Sequence, residues 1–118
     1  MTARSILLLE DEALIGLDLQ MTLEENGYSV IGPFLTSDAA EEALGQDRPS
    51  LALLDVNLGR GETSLPLARR LRELNVPVVF LTGYSAETGG FPDDLRDVRR
   101  LSKPIQDVEL LSALQGVL

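Results

Sequence analysis

Residues 51–57 read Leu51-Ala52-Leu53-Leu54-Asp55-Val56-Asn57. Four apolar residues run without alternation and stop at an acid. A strand with one wet face alternates apolar with polar residues. A continuous apolar run fits a strand buried on both faces, as in a parallel sheet covered by helices. The acid then falls at the strand's carboxyl end, where open α/β sheets bind their ligands.

The same pattern recurs on both sides of this stretch. Ser5–Leu9 is apolar and is stopped by Glu10-Asp11-Glu12. Val76–Leu81 is followed by Thr82-Gly83-Tyr84, and Val98–Ser102 by Lys103-Pro104. A fifth, shorter strand is expected over Tyr28–Ile31, closed by Gly32-Pro33. Helical spacing predicts helices over Ala13–Asn26, stopped by Gly27, from a cap at Thr36 or Ser37 to about Gln46, over Ser64–Asn75, and over Gln106–Leu118. Residues 85–97 are weakly patterned, and Gly89, Gly90 and Pro92 argue against a long helix there. Five βα units with short connections indicate a parallel sheet with helices on both faces, in one domain spanning 1–118.

Composition narrows the function. The chain of 118 residues is 44% hydrophobic, enough for one core, and has no apolar run long enough for a membrane span. It lacks the pattern of a signal peptide, so the cytoplasm is the expected compartment. Without cysteine or histidine, disulfides, thiolate metal sites, the usual zinc ligand sets and Ser-His-Asp or Cys-His catalysis are excluded. A net charge of −9 argues against nucleic acid as a partner and favours basic partners or a bound cation.

Four of the five expected strands therefore end in an ionisable or hydroxyl residue: Glu10-Asp11, Asp55, Thr82 and Ser102-Lys103. Taken singly, each is as easily a helix cap or a turn residue. Together they converge on one rim. Three carboxylates on that rim repel one another and raise one another's pKa. A hard cation such as Mg²⁺, which takes oxygen ligands and retains waters, relieves this. A carboxylate beside such an ion can attack a phosphoryl group, and the phosphoryl oxygens need cations and donors nearby. Lys103, the only lysine among ten basic residues, and the Thr82 hydroxyl suit that need.

In order and spacing, LLLEDE, LALLDVN, VVFLTGY and LSKPI resemble the receiver domain of two-component response regulators over essentially the whole chain. The resemblance implies a flavodoxin-like (βα)5 three-layer sandwich with strand order 2-1-3-4-5, the order a chemotaxis receiver also has. It makes Asp55 the phosphoacceptor and Asp11 a direct Mg²⁺ ligand, with Glu10 assisting through water and the Asn57 carbonyl completing the protein ligands. Thr82 would bind a phosphoryl oxygen and move when it arrives. Lys103 would pair with the phosphoryl group, ahead of a cis bond to Pro104. The donor would be a phosphohistidine on a kinase or a histidine phosphotransferase, and the output an unidentified downstream protein. A homodimer is compatible with this.

Two positions depart from the pattern. Glu10 stands where Asp is commoner. Arg100 stands where receivers place a switch aromatic, so Tyr84 and the Gly89-Gly90-Pro92 segment are expected to take over the switching. Phe80-Leu81-Thr82-Gly83-Tyr84 resembles a Phe-Ala-Thr-Gly-x-Tyr subgroup of stand-alone alphaproteobacterial receivers, with Leu81 in place of Ala. A single receiver domain without an output domain in this chain is the expectation, as either a stand-alone receiver or a piece of a longer protein.

Helix 1 carries two apolar stripes. Ile15, Leu19, Thr22 and Leu23 are expected in the core, and Leu14, Leu17 and Met21 lie roughly opposite. The second stripe is either covered by neighbouring elements or is a partner surface, and the resemblance puts the kinase bundle there. Two other readings have less support. An Asp-nucleophile phosphatase would need a second Asp where Asn57 stands, and a carboxamide cannot transfer that proton. A degenerate receiver acting by binding alone would not need Asp11, Asp55, Thr82 and Lys103 intact.

Overall fold

The computed structural model describes residues 4–59, 61–83 and 91–118. The elements are β1 (Ser5–Leu9), α1 (Ala13–Glu25), β2 (Ser29–Phe34), α2 (Ser37–Leu44), β3 (Leu51–Asp55), α3 (Leu65–Glu73), β4 (Val78–Thr82), β5 (Arg99–Ser102) and α4 (Asp107–Val117). The strands form one parallel sheet in the order β2-β1-β3-β4-β5. The expected flavodoxin-like arrangement is therefore present. The fourth connection differs from a full (βα)5 repeat. Its described part holds only a 3-10 turn, Asp93–Leu95, opened by Pro92.

Alternate residues of each strand feed opposite layers. Leu7, Leu9, Ala52, Leu54, Val78 and Phe80 pack with Ala40 of α2 and with Leu67, Ala68 and Leu71 of α3. Ile6, Leu8, Leu51, Leu53, Val79, Leu81 and Leu101 pack with Leu19 and Leu23 of α1 and with Leu110, Ala113 and Leu114 of α4. This explains the unbroken apolar runs: every residue of β3 and β4 is buried.

Two local expectations change. β2 does not stop at Gly32-Pro33 but continues through them to Phe34. It is an edge strand, where a missing N–H is tolerated, and its register against β1 shifts between Leu7 and Leu9. Gly32 is required there: its φ is +114°, and a Cβ would lie 2.8 Å from the Leu8 carbonyl oxygen. In α1 the buried positions are Gly16, Leu19, Thr22 and Leu23, whereas Ile15 is only half-buried. Gly16 lets α1 close onto β2, since a Cβ there would lie 3.1 Å from Pro33 Cβ. The cap of α2 is Thr36, whose hydroxyl accepts from the Ala39 N–H at 3.2 Å.

Candidate functional site at the carboxyl rim of the sheet

The parallel register decides which side chains meet. Leu9 pairs with Leu54, Asp55 with Leu81 and Thr82 with Ser102. Glu10, Asp55, Thr82 and Lys103 thus follow or end adjacent strands at one edge. That edge contains the reversal of strand order between β1 and β3, where such sheets open a crevice. The Lys103 N–H donates to the Thr82 carbonyl at 2.8 Å, extending the β4–β5 ladder to the base of the lysine. The Lys103–Pro104 peptide is cis.

Glu10 is fully buried and Asp55 is 4% exposed. The Lys103 ammonium joins them. It donates to both Glu10 carboxylate oxygens at 2.8 Å and to Asp55 Oδ2 at 3.1 Å. Asp11, half-buried, completes a cluster in which Glu10, Asp11 and Asp55 each offer a carboxylate oxygen, all within 4.8 Å of one another. An all-oxygen set of this charge fits a hard divalent cation. Opposite Asp11 the loop after β3 comes close: a Cβ on Gly59 would lie 3.9 Å from Asp11 Oδ2.

The electrostatics follow from this crowding. Burial, the Asp11 carboxyl and the Glu10 charge push the Asp55 carboxyl up to about 8, against the pull of Lys103. Burial disfavours the Lys103 ammonium, but its hydrogen bonds to Glu10 and Asp55, and their charges, outweigh that and raise its pKa.

The other sequence-derived residues are placed as follows. Thr82 is 3% exposed, and its hydroxyl donates to the Leu101 carbonyl at 3.4 Å. Asn57 is exposed, two residues past Asp55, in a bridge to Thr63. Tyr84, Gly89 and Gly90 lie outside the described residues. Arg100 pairs in register with Phe80, away from the carboxylates. Leu14, Leu17 and Met21 are 83%, 51% and 55% exposed, so among the described residues no neighbouring element covers the second stripe of α1. A cleft of about 300 Å³ runs beside it, between Leu14, Asp18 and Leu19 on one side and Lys103, Pro104 and Ile105 on the other.

Three features were missed in the sequence. The ring of Phe91 packs on Phe80, centroids 5.3 Å apart, and under the Arg100 guanidinium. Arg69 and Arg72 of α3 each grip one acid, Asp94 and Asp97, through two nitrogens. The matching three-residue spacing of both pairs was the available signal, but nothing local says that the two segments meet. Glu10 as a partner of Lys103 was also invisible, because the two lie 93 positions apart.

The family model for the response regulator receiver domain matches residues 6–115. Among curated relatives, the phyllosphere-induced regulator PhyR of Methylorubrum extorquens is 33% identical over 98% of this chain and 44% of that protein. The transcriptional regulatory protein PdtaR of Mycobacterium tuberculosis is 29% identical over 95% of this chain and 55% of its own length. The chain thus spans about half the length of these relatives. Among solved structures, SdrG of Sphingomonas melonis superposes with a TM-score of 0.84 at 33% identity, covering 98% of each chain. The receiver domain of Erythrobacter litoralis PhyR gives 0.83 at 27% identity, over 98% of this chain and 90% of that one.

Proposed function

The chain belongs to the response regulator receiver domain family, and from that premise we propose that it is a phosphoacceptor whose reacting group is Asp55. One observation carries the reading. Asp55 is a nearly buried carboxylate at a strand end, held 3.1 Å from the only lysine and beside two further carboxylates. An Asp55 carboxylate oxygen attacks the phosphorus of a phosphohistidine on a histidine kinase or histidine phosphotransferase. The P–O bond forms as the P–N bond breaks, and the imidazole leaves with the bonding pair and takes a proton from solvent.

Asp11, Asp55 and the Asn57 carbonyl would hold Mg²⁺, which supplies charge neutralisation for the incoming phosphoryl oxygens. Lys103 places its ammonium against the same oxygens. Thr82 turns its hydroxyl from the Leu101 carbonyl to a phosphoryl oxygen, and that turn starts the change read by a downstream protein. Arg100 replaces the usual aromatic at its position, so Tyr84, two residues after Thr82 in the sequence, reports the change; Tyr84→Ala should alter how phosphorylation affects partner binding. The protein acts in the cytoplasm as a signalling domain that turns over its own phosphoryl group rather than a separate substrate.

The deciding experiment is incubation with Mg²⁺ and acetyl phosphate, followed by intact-mass measurement. One phosphoryl adduct, absent from Asp55→Asn, is the expected result. Turnover of a phosphate ester would favour the phosphatase reading. No adduct, together with no Mg²⁺ affinity, would mean a domain that acts by binding alone.

A further inference from the structure

A groove of about 520 Å³ opens at the amino ends of β4 and β5. It lies at the opposite edge of the sheet from the carboxylates: the stretch from Arg99 to Lys103 spans roughly 13 Å of extended chain. Its two walls are turns of the chain. On one side α3 is closed by Asn75 in the left-handed region, φ +61°, and the Val76 N–H donates to the Leu71 carbonyl at 2.9 Å. On the other, Asp97 and Val98 lead from the 3-10 turn into β5.

The floor is apolar: Val76, Pro77, Val78, Val98 and Val117. The main chain adds little polarity, because its groups are already paired. Pro77 has no N–H, its carbonyl accepts from the Ala52 N–H at 2.9 Å, and the Val98 N–H donates to the Leu95 carbonyl at 3.2 Å. The charged groups at the rim are not balanced. Arg72 directs two nitrogens to the Asp97 carboxylate, at 2.9 and 3.2 Å, so that pair is neutral. The Arg99 guanidinium and the Asn75 carboxamide, both exposed at the rim, have no ion pair or side-chain hydrogen bond among the described residues.

We propose that this groove binds a small amphipathic anion, a carboxylate or phosphate head on a short apolar body. Clefts of this volume, with an apolar lining and a few polar groups, are the usual form of small-molecule sites. A guanidinium presents a planar fork that matches either head with two parallel hydrogen bonds, and the Asn75 amide adds a donor. The body covers the valines. The net charge of −9 repels anions over most of the surface, so an uncompensated guanidinium beside an apolar floor is what draws one here. The site is separate from Asp55 and does not depend on its role. Bound there, the ligand bridges the end of α3 to the start of β5.

The test is a titration of metal-free protein, in a buffer without phosphate or carboxylate, followed by amide chemical shifts. Hexanoate and hexyl phosphate are the probes, with hexylamine as the same body bearing the opposite charge. Saturable shifts are expected at the Val76, Val78, Val98 and Arg99 amides with at least one anion. A response to hexanoate alone would assign a carboxylic acid, and a response to hexyl phosphate alone a phosphomonoester. Arg99→Ala should weaken binding tenfold or more. Asn75→Gly, which keeps the left-handed backbone, should weaken it several-fold and serves if Arg99→Ala does not fold. Three results would overturn the proposal: no saturable shift with either anion, equal binding of hexylamine, or shifts confined to the Asp55 and Lys103 rim. Undiminished affinity in a folded Arg99→Ala would do the same.

Discussion

The guanidinium of Arg100 lies 4.6 Å from the centre of the Phe91 ring. Phe91 in turn packs against Phe80, the register partner of Arg100. The β5 position that lacks an aromatic therefore has one beside it, supplied by the segment before the strand.

This column predicts coupling between strand and segment. Phe91→Ala removes a ring pair and a cation–π contact, together worth roughly 1–2 kcal/mol. Arg100→Ala removes only the second. A double-mutant cycle on urea unfolding should show an Arg100–Phe91 interaction of about 0.5–1 kcal/mol. Strict additivity would mean that the contact does not exist in solution.

The raised Asp55 pKa predicts a pH dependence with a definite sign. The carboxyl titrates near 8 in the fold, against an ordinary value of 3.8. Between these values the folded state holds a proton that the unfolded chain has released. Stability therefore falls as pH rises from about 4 to about 8 and then levels off. Asp55→Asn escapes this cost. In denaturant melts it should exceed the wild type most at pH 8, by on the order of a few kcal/mol, and converge with it near pH 4. Mg²⁺ should stabilise the wild type at pH 8 more than the variant.

The exposed stripe of α1 predicts a separation of two activities. Leu14→Asp or Met21→Asp should slow phosphoryl transfer from the cognate kinase about tenfold or more, as expected for loss of a central interface contact of roughly 1.4 kcal/mol. Phosphorylation by acetyl phosphate should be unchanged, because neither side chain touches the carboxylates. Equal loss with both donors would show that α1 acts on the site itself.

The paired clasps Arg69–Asp94 and Arg72–Asp97 tie α3 to the 3-10 turn, and Arg72 also donates to the Asp94 carbonyl at 2.8 Å. All four side chains are solvent-exposed, so salt should weaken the ties. Arg69→Ala combined with Arg72→Ala should raise hydrogen exchange at the Leu95 and Val98 amides while the melting temperature changes little. Added salt should produce the same local effect in the wild type. If exchange at these two amides does not move, the clasps do not hold the turn.

Much of the fold was legible because each strand states its own environment. Leu51–Asp55 has the same limits in sequence and structure, since a strand buried on both faces has no reason to alternate. β2 was read too short, because Gly32-Pro33 is a stop signal locally, and only an edge position with a register shift lets the strand run through it. The rim residues Asp11, Asp55, Thr82 and Lys103 were legible from their place at strand ends.

The sequence by itself determined which residues reach the rim, because period and polarity are local properties of the chain. It also determined that this rim has one ammonium and that the aromatic position of β5 holds Arg100. Tertiary structure alone decided how these groups pair. Glu10 grips Lys103 across 93 residues, Thr82 turns to Leu101, and Phe91 folds back under Arg100. Each depends on the parallel register that brings separate strand ends together, and no local pattern encodes which oxygen an ammonium will find there.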